Sequence, residues 1–144
     1  MPARYEHALT VTTDDLDRQG HVNNIVYLRW MQDAAVAHSR EQGWPMSRYA
    51  EAGFSWVVRS HFIEYRVPAF SGDEVVVHTW VADMQKVSSL RRFEIRRAEG
   101  TLLARAETHW AFVRTSDQRL MRIPDEVASA FEVVPDQKPG QAAG

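Results

Sequence analysis

The chain contains no cysteine. That excludes disulfide frameworks, thiolate metal sites and a cysteine nucleophile among its 144 residues. Neither sign of charge is in excess: 17 Lys and Arg stand against 19 Asp and Glu, a formal net charge of −2. No global basic field exists to hold nucleic acid or an anionic membrane. No apolar run approaches the ~20 residues a membrane span needs. The opening stretch MPARYEHALTVTTDD lacks the apolar core of a secretory signal. Internal repeats are missing too, so a cytoplasmic protein without nucleic-acid or membrane partners is the expectation.

What is present is ordinary for a globular protein, with 44% hydrophobic and 25% charged residues. The length suits one domain with a single core and roughly two layers of secondary structure. The six histidines, His7, His21, His38, His61, His78 and His109, show neither HxH nor HExxH spacing. No metal or other cofactor is expected.

Tyr5 to Thr12 reads as a strand with Tyr5, His7, Leu9 and Val11 on one face. A polar, turn-forming stretch follows, from Thr13 to His21. Asn23 and Asn24 then offer a helix cap, and Tyr27, Trp30, Met31, Ala34, Ala37 and His38 form one helical stripe. The spacing predicts a helix from Asn24 to Gln42, stopped by Gly43. Trp44 to Gly53 reads as a short helix or loop.

From Phe54 onward the period changes to two. Strands are predicted at Phe54–Val67, Glu74–Asp83, Ser88–Arg97 and Thr101–Val113, with a hairpin turn at Ala98-Glu99-Gly100. In Glu74–Asp83 both faces are apolar (Val75, Val77 and Val81 against Val76, Trp80 and Ala82), which reads as an oligomer seam. Pro124–Phe131 is a candidate closing helix. One domain over residues 1–132 and a loose tail over 133–144 complete the expected organisation.

The informative segment is Asp15-Leu16-Asp17-Arg18-Gln19-Gly20-His21-Val22-Asn23-Asn24, followed by Tyr27-Leu28. It sets two carboxylates, a glycine and a histidine in the turn that feeds a helix N-terminus. The first helical turn has unpaired N–H groups and a partial positive charge, so it suits an anion or the oxyanion that develops in acyl transfer. A carboxylate beside it can attack a thioester or activate water. Gly20 permits an unusual backbone conformation or close approach to a substrate. Asp and Asn before a helix are also ordinary caps, and that blander reading stands beside the chemical one.

The string DxDxxGHVNNxxYL, entering a long helix after one strand, resembles the signature of the hotdog-fold acyl thioesterases. More narrowly it is similar to the HVNN branch of the 4-hydroxybenzoyl-CoA thioesterase-like family, as is the Tyr65-x-x-Pro68-x-x-x-Gly72-Asp73 segment. The resemblance covers roughly residues 5 to 131 and implies an α+β hotdog, an antiparallel sheet of about five strands wrapped around one long helix. It further implies hydrolysis of an acyl-CoA or acyl-carrier-protein thioester at a site between two subunits of a homodimer or homotetramer. Asp17 would be nucleophile or general base, and the Asn24 backbone N–H the oxyanion donor. Asp17, Gly20 and Asn24 are therefore the candidate catalytic positions, and His21, Asn23, Tyr27 and Trp56 the candidate substrate-binding ones. Many aryl-CoA members carry aromatic residues just after the glycine, where this chain has His21-Val22-Asn23-Asn24, so aromatic specificity does not transfer.

Other residues have plainer readings. Asp15 is expected to bond backbone N–H groups of the turn, and Asp33 to lie on a solvated helix face, with a reserve role as base. Lys86, Arg91, Arg92, Arg96 and Arg97 suggest either a phosphate-binding patch or a solvated sheet face, the latter for most of them. Trp44, like Trp56, is a candidate for an acyl pocket. A non-catalytic acyl-CoA-binding domain on the same fold, a hotdog hydratase or dehydratase, and a pure scaffold are the competing functions.

Overall fold

The protein is described here over residues 3–136 by a computed structural model. Its elements in order are β1 (Arg4–Thr10), a 3-10 turn (Thr13–Asp15), α1 (Asn24–Glu41), α2 (Met46–Ala52), β2 (Phe54–Tyr65), β3 (Glu74–Met84), β4 (Ser88–Arg97), β5 (Leu102–Arg114) and α3 (Asp125–Ala128). The five strands form one antiparallel sheet in the order β1-β3-β4-β5-β2.

Helix α1 starts where the Asn23 side chain accepts the Ile25 N–H at 3.0 Å, satisfying one orphan donor of the first turn. It ends before Gly43, whose φ of +96° carries the chain out of the helix. The expected stripe is buried along its whole length. It packs on Val75 and Val77 of β3, Phe93 and Ile95 of β4, and Ala104 and Ala106 of β5. The alanines at 34 and 37 keep the helix face low, so the curved sheet closes around it. A second cluster, built on Trp44, Tyr49, Phe54, Phe112, Val127 and Phe131, closes the sheet at the C-terminal end of α1. There the Trp44 indole N–H donates to the Glu126 carbonyl at 3.3 Å, and the Gln42 amide donates to the Ala130 carbonyl at 2.9 Å.

Several boundaries differ by one or two residues from those expected, and some surroundings differ as well. Strand β2 ends at Tyr65 rather than Val67, because the Arg66 and Val67 N–H groups both turn onto the Leu103 carbonyl. The doubly apolar β3 lies inside the sheet, and its outer face is covered in part by the chain itself, with Val76 and His78 half-buried. The Arg4 guanidinium stands 4.1 Å from the Trp80 ring centroid, a cation–π contact. Finally, the first residues of the expected tail are bonded. The Val134 N–H donates to the Val81 carbonyl at 2.8 Å, and Arg92 grips Asp136 through two nitrogens. The rest of that tail, 137–144, lies outside the described residues.

Candidate active site

Between β1 and α1 the backbone folds back on itself through the Asp17 N–H to His21 carbonyl bond, 2.7 Å, and the Gly20 N–H to Asp17 carbonyl bond, 3.2 Å. Gly20 adopts φ +82° to make this return, a region that costs other residues about 1–2 kcal/mol. A Cβ there would meet nothing within 4 Å, so within this chain the glycine serves backbone conformation rather than close packing. Asp17 is exposed, and its Oδ1 accepts the N–H groups of Gln19 at 2.8 Å and His21 at 3.1 Å. Among the described residues Oδ2 has no donor. The carboxylate is thus held by one oxygen and presents the other.

Asp15, two residues earlier, is buried. Its Oδ2 accepts the Thr12 N–H at 3.0 Å, its Oδ1 takes the Arg29 guanidinium at 2.7 Å, and its carbonyl accepts the Asn23 N–H at 2.8 Å. This aspartate ties the turn to α1. Asn23 is occupied as the helix cap. The Asn24 N–H, the next donor along, has no acceptor among the described residues. It sits at the positive end of an 18-residue helix.

The segment from Tyr65 to Asp73 packs against this turn, so the two similar stretches of sequence meet in space. The Val22 N–H donates to the Ala69 carbonyl at 2.9 Å, and the Tyr65 hydroxyl donates to the Asn24 carbonyl at 3.1 Å. The His21 imidazole lies edge-on to Phe70, ring centroids 5.2 Å apart, so His21 meets Asp17 through its backbone N–H and leaves its ring for the surface. Tyr27 lies beneath, 2% exposed and in contact with Trp30 and Tyr65. Burial pushes its phenol above the ordinary range, with the backbone at Ala69 working the other way. Tyr27 therefore belongs to the core under the turn, out of reach of a substrate at the surface.

Trp56 is elsewhere. It lines an apolar cavity of about 140 Å³ between the C-terminal half of α1, α2 and the sheet, with Ala35, Tyr49, Arg91, Trp110 and Phe131 among the other walls. Its indole N–H donates to the Tyr49 hydroxyl at 3.1 Å, which also bonds Ser39 at 3.1 Å. Trp44, the other tryptophan expected at a pocket, is buried in the closing cluster instead. The structure thus brings Asp17, Gly20, His21, Asn23 and Asn24 together and separates Trp56 from them. Asp33 is exposed on the far side of α1.

Neither Phe70 beside the turn nor Arg91 at the cavity was expected at these places. Phe70 carries no signal beyond an aromatic in a loop. Arg91 does carry one: on β4 it shares phase with Ser89, Phe93 and Ile95, all buried. The basic cluster of the sequence accordingly divides. Arg92 pairs with Glu107 and Asp136, Arg96 with Glu94, and Arg97 with Asp73, while Arg91 turns inward. Among the described residues, no three His, Asp or Glu side chains approach closely enough to hold a metal ion, and no helix is long and apolar enough to cross a membrane.

The chain is similar in sequence and fold to known proteins. The chain is 27% identical over 111 residues to the oleoyl-acyl carrier protein thioesterase 2 of Arabidopsis thaliana chloroplasts, which covers 72% of this chain but only 30% of the plant protein. The chain therefore spans about a third of the length of that relative. A Bacillus subtilis (strain 168) protein, provisionally named acyl-CoA thioesterase YneP, is 28% identical over 92 residues, 64% of this chain and 67% of the relative. The solved structure of Slr0204, a 1,4-dihydroxy-2-naphthoyl-CoA thioesterase from Synechocystis, superposes with a TM-score of 0.82. It covers 88% of this chain and 94% of its own at 22% identity, and so confirms the hotdog fold. The profile of the thioesterase-like superfamily matches residues 11–131, from the end of β1 to the closing helix, with the Asp17–Asn24 turn inside it. On that match, across nearly all the described residues, the chain belongs to the thioesterase-like superfamily.

Proposed function

We propose that the protein hydrolyses an acyl thioester, of coenzyme A or acyl carrier protein, to a free acid and a thiol. The observation that carries this reading is Asp17, held by Oδ1 with Oδ2 free, in the turn that delivers the unpaired Asn24 N–H at the start of α1. The thioester carbonyl oxygen would accept that N–H as it becomes an oxyanion. Asp17 takes the proton from an attacking water, or attacks first and forms an anhydride that water then opens. In either route a carbon–oxygen bond forms, the carbon–sulfur bond breaks, and the leaving thiolate ends protonated. Gly20 sets the return of the turn. His21 and Phe70 border its surface, where the substrate's acyl or pantetheine portion passes.

The same reading makes the working unit a homo-oligomer of two or four copies. Ala35, at the cavity, lies about 16 Å along the helix axis from Asn24. A short acyl group in the cavity cannot reach the turn of its own chain, so the turn of a second copy would serve it. Strand β2 supports this arrangement. It is an edge strand of 12 residues that exposes Val58, Phe62 and Tyr65, whereas the opposite edge, β1, is short and bears Arg4 and Glu6.

Thiol release from a panel of acyl-CoAs, short to long and aromatic, tests the reading with Asp17→Asn beside the wild type. The amide oxygen of asparagine can still accept the Gln19 and His21 N–H groups, so the turn is kept and only the carboxylate is lost. The expected result is turnover that falls by ~100-fold or more with substrate binding retained. A cysteine-free chain adds no background to a thiol dye. Binding without turnover in the wild type would instead identify an acyl-CoA-binding module.

A further inference from the structure

Arg91 is 6% exposed and lines the apolar cavity beside Trp56 and Tyr49. Its Nη1 donates to His38 Nδ1 at 3.0 Å and to Thr79 Oγ1 at 3.1 Å, and the Thr79 hydroxyl in turn donates to the Arg92 carbonyl at 3.0 Å. Those bonds use both Nη1 hydrogens. Among the described residues Nε and Nη2 have no acceptor, and no carboxylate pairs with the guanidinium. Burial lowers Arg91 to about 10, with the Tyr49 phenol working the other way. His38, lowered to about 4 by burial and by Arg91, is neutral and contributes no charge. A full positive charge is thus enclosed among neutral partners at a cavity with apolar walls. A buried cation left so is costly, and one that receives an anion is strongly bound.

We propose that this cavity selects acyl groups that end in a carboxylate, the thioesters of short dicarboxylic acids, with Arg91 receiving the terminal carboxylate. The inference rests on the thioesterase reading for the identity of the ligand. Charge and size both support it. The two free guanidinium nitrogens offer a fork that matches a carboxylate's two oxygens. A cavity of about 140 Å³ is close to the ~150 Å³ that encloses a single benzene ring, enough for a short chain and too little for a fatty acyl tail. The phosphates of coenzyme A are poor candidates for this place, because Arg91 is reached through the cavity rather than from the sheet surface. Arg91 is here a specificity-determining residue; it takes no part in the cleavage.

Glutaryl-CoA and pentanoyl-CoA, equal in carbon count and different only at the far end, form the test pair. Their binding to full-length Asp17→Asn protein is measured by calorimetry, and their hydrolysis by wild type and Arg91→Met. At least about tenfold tighter binding of glutaryl-CoA is expected, and a similar preference in kcat/KM. Arg91→Met should abolish that preference, so that glutaryl-CoA loses at least about tenfold relative to pentanoyl-CoA in the same variant. Equal binding of the two thioesters by the Asp17→Asn protein overturns the proposal even where the Arg91 variant does not fold. So does a glutaryl preference that survives Arg91→Met. Preferential binding with no hydrolysis of either thioester would sink the thioesterase reading and leave the cavity's specificity standing. Hydrolysis without preference would do the reverse.

Discussion

Asp15 and Asp17 lie two residues apart in one turn, and their environments assign them opposite tasks. Asp15 is 6% exposed and satisfies the Thr12 N–H, the Thr12 hydroxyl and Arg29, so it holds structure. Removing it in Asp15→Ala leaves the part-buried Thr12 N–H and the Arg29 guanidinium without their acceptor. A loss of about 1–3 kcal/mol in urea unfolding is the expected outcome, discounted toward the lower end because Arg29 is largely exposed. Asp17→Asn should unfold with the wild type while losing turnover. Gly20→Ala places a Cβ in open space but at φ +82°, so it should cost about 1–2 kcal/mol through the backbone alone. If the same unfolding measurement shows no cost, the turn is not held in that conformation.

At the scale of elements, α1 and β4 meet at His38 and Arg91. His38 is buried against Tyr5, Phe131 and Arg91, and its folded-state value is lowered to about 4 against an ordinary 6.5. Between those two values the unfolded chain binds a proton that the folded chain refuses. Stability is therefore at its plateau above about pH 6.5 and declines as the pH falls toward 4, by up to about 3 kcal/mol. Denaturant midpoints across this window check the slope. His38→Asn, which keeps an acceptor for Arg91 and removes the titration, should flatten it. At the other end of α1, Asn23→Ala removes the cap on the Ile25 N–H and should cost about 1 kcal/mol in the same measurement.

For the whole molecule, the governing feature is that β2 forms one edge of the sheet. Phe62 is 61% exposed there, beside Val58 and Tyr65. Phe62→Lys puts a charge on that edge and should shift sedimentation toward a monomer. Because the proposed site takes its turn and its cavity from different copies, turnover should fall along with the oligomer. A monomeric variant with full turnover would show that each chain carries a complete site.

The order of elements and the buried stripe of α1 follow from residue periodicity, because periods of 3.6 and 2 are local properties that tertiary packing here reinforces. The Asp17–Asn24 turn was legible for a similar reason: its Asp, Gly and Asn residues act on backbone groups only a few positions away. The sequence determined that much by itself. Tertiary structure alone decided which aspartate is buried, since that depends on Arg29 reaching back from α1. It decided that the segment at Tyr65–Asp73 meets the turn, and that Arg4 lies over Trp80 on the outer face of β3. It also decided that Trp56 and Arg91, 35 positions apart in the chain, wall one cavity. Sheet order brings them together, and no local pattern in the chain encodes which strands become neighbours.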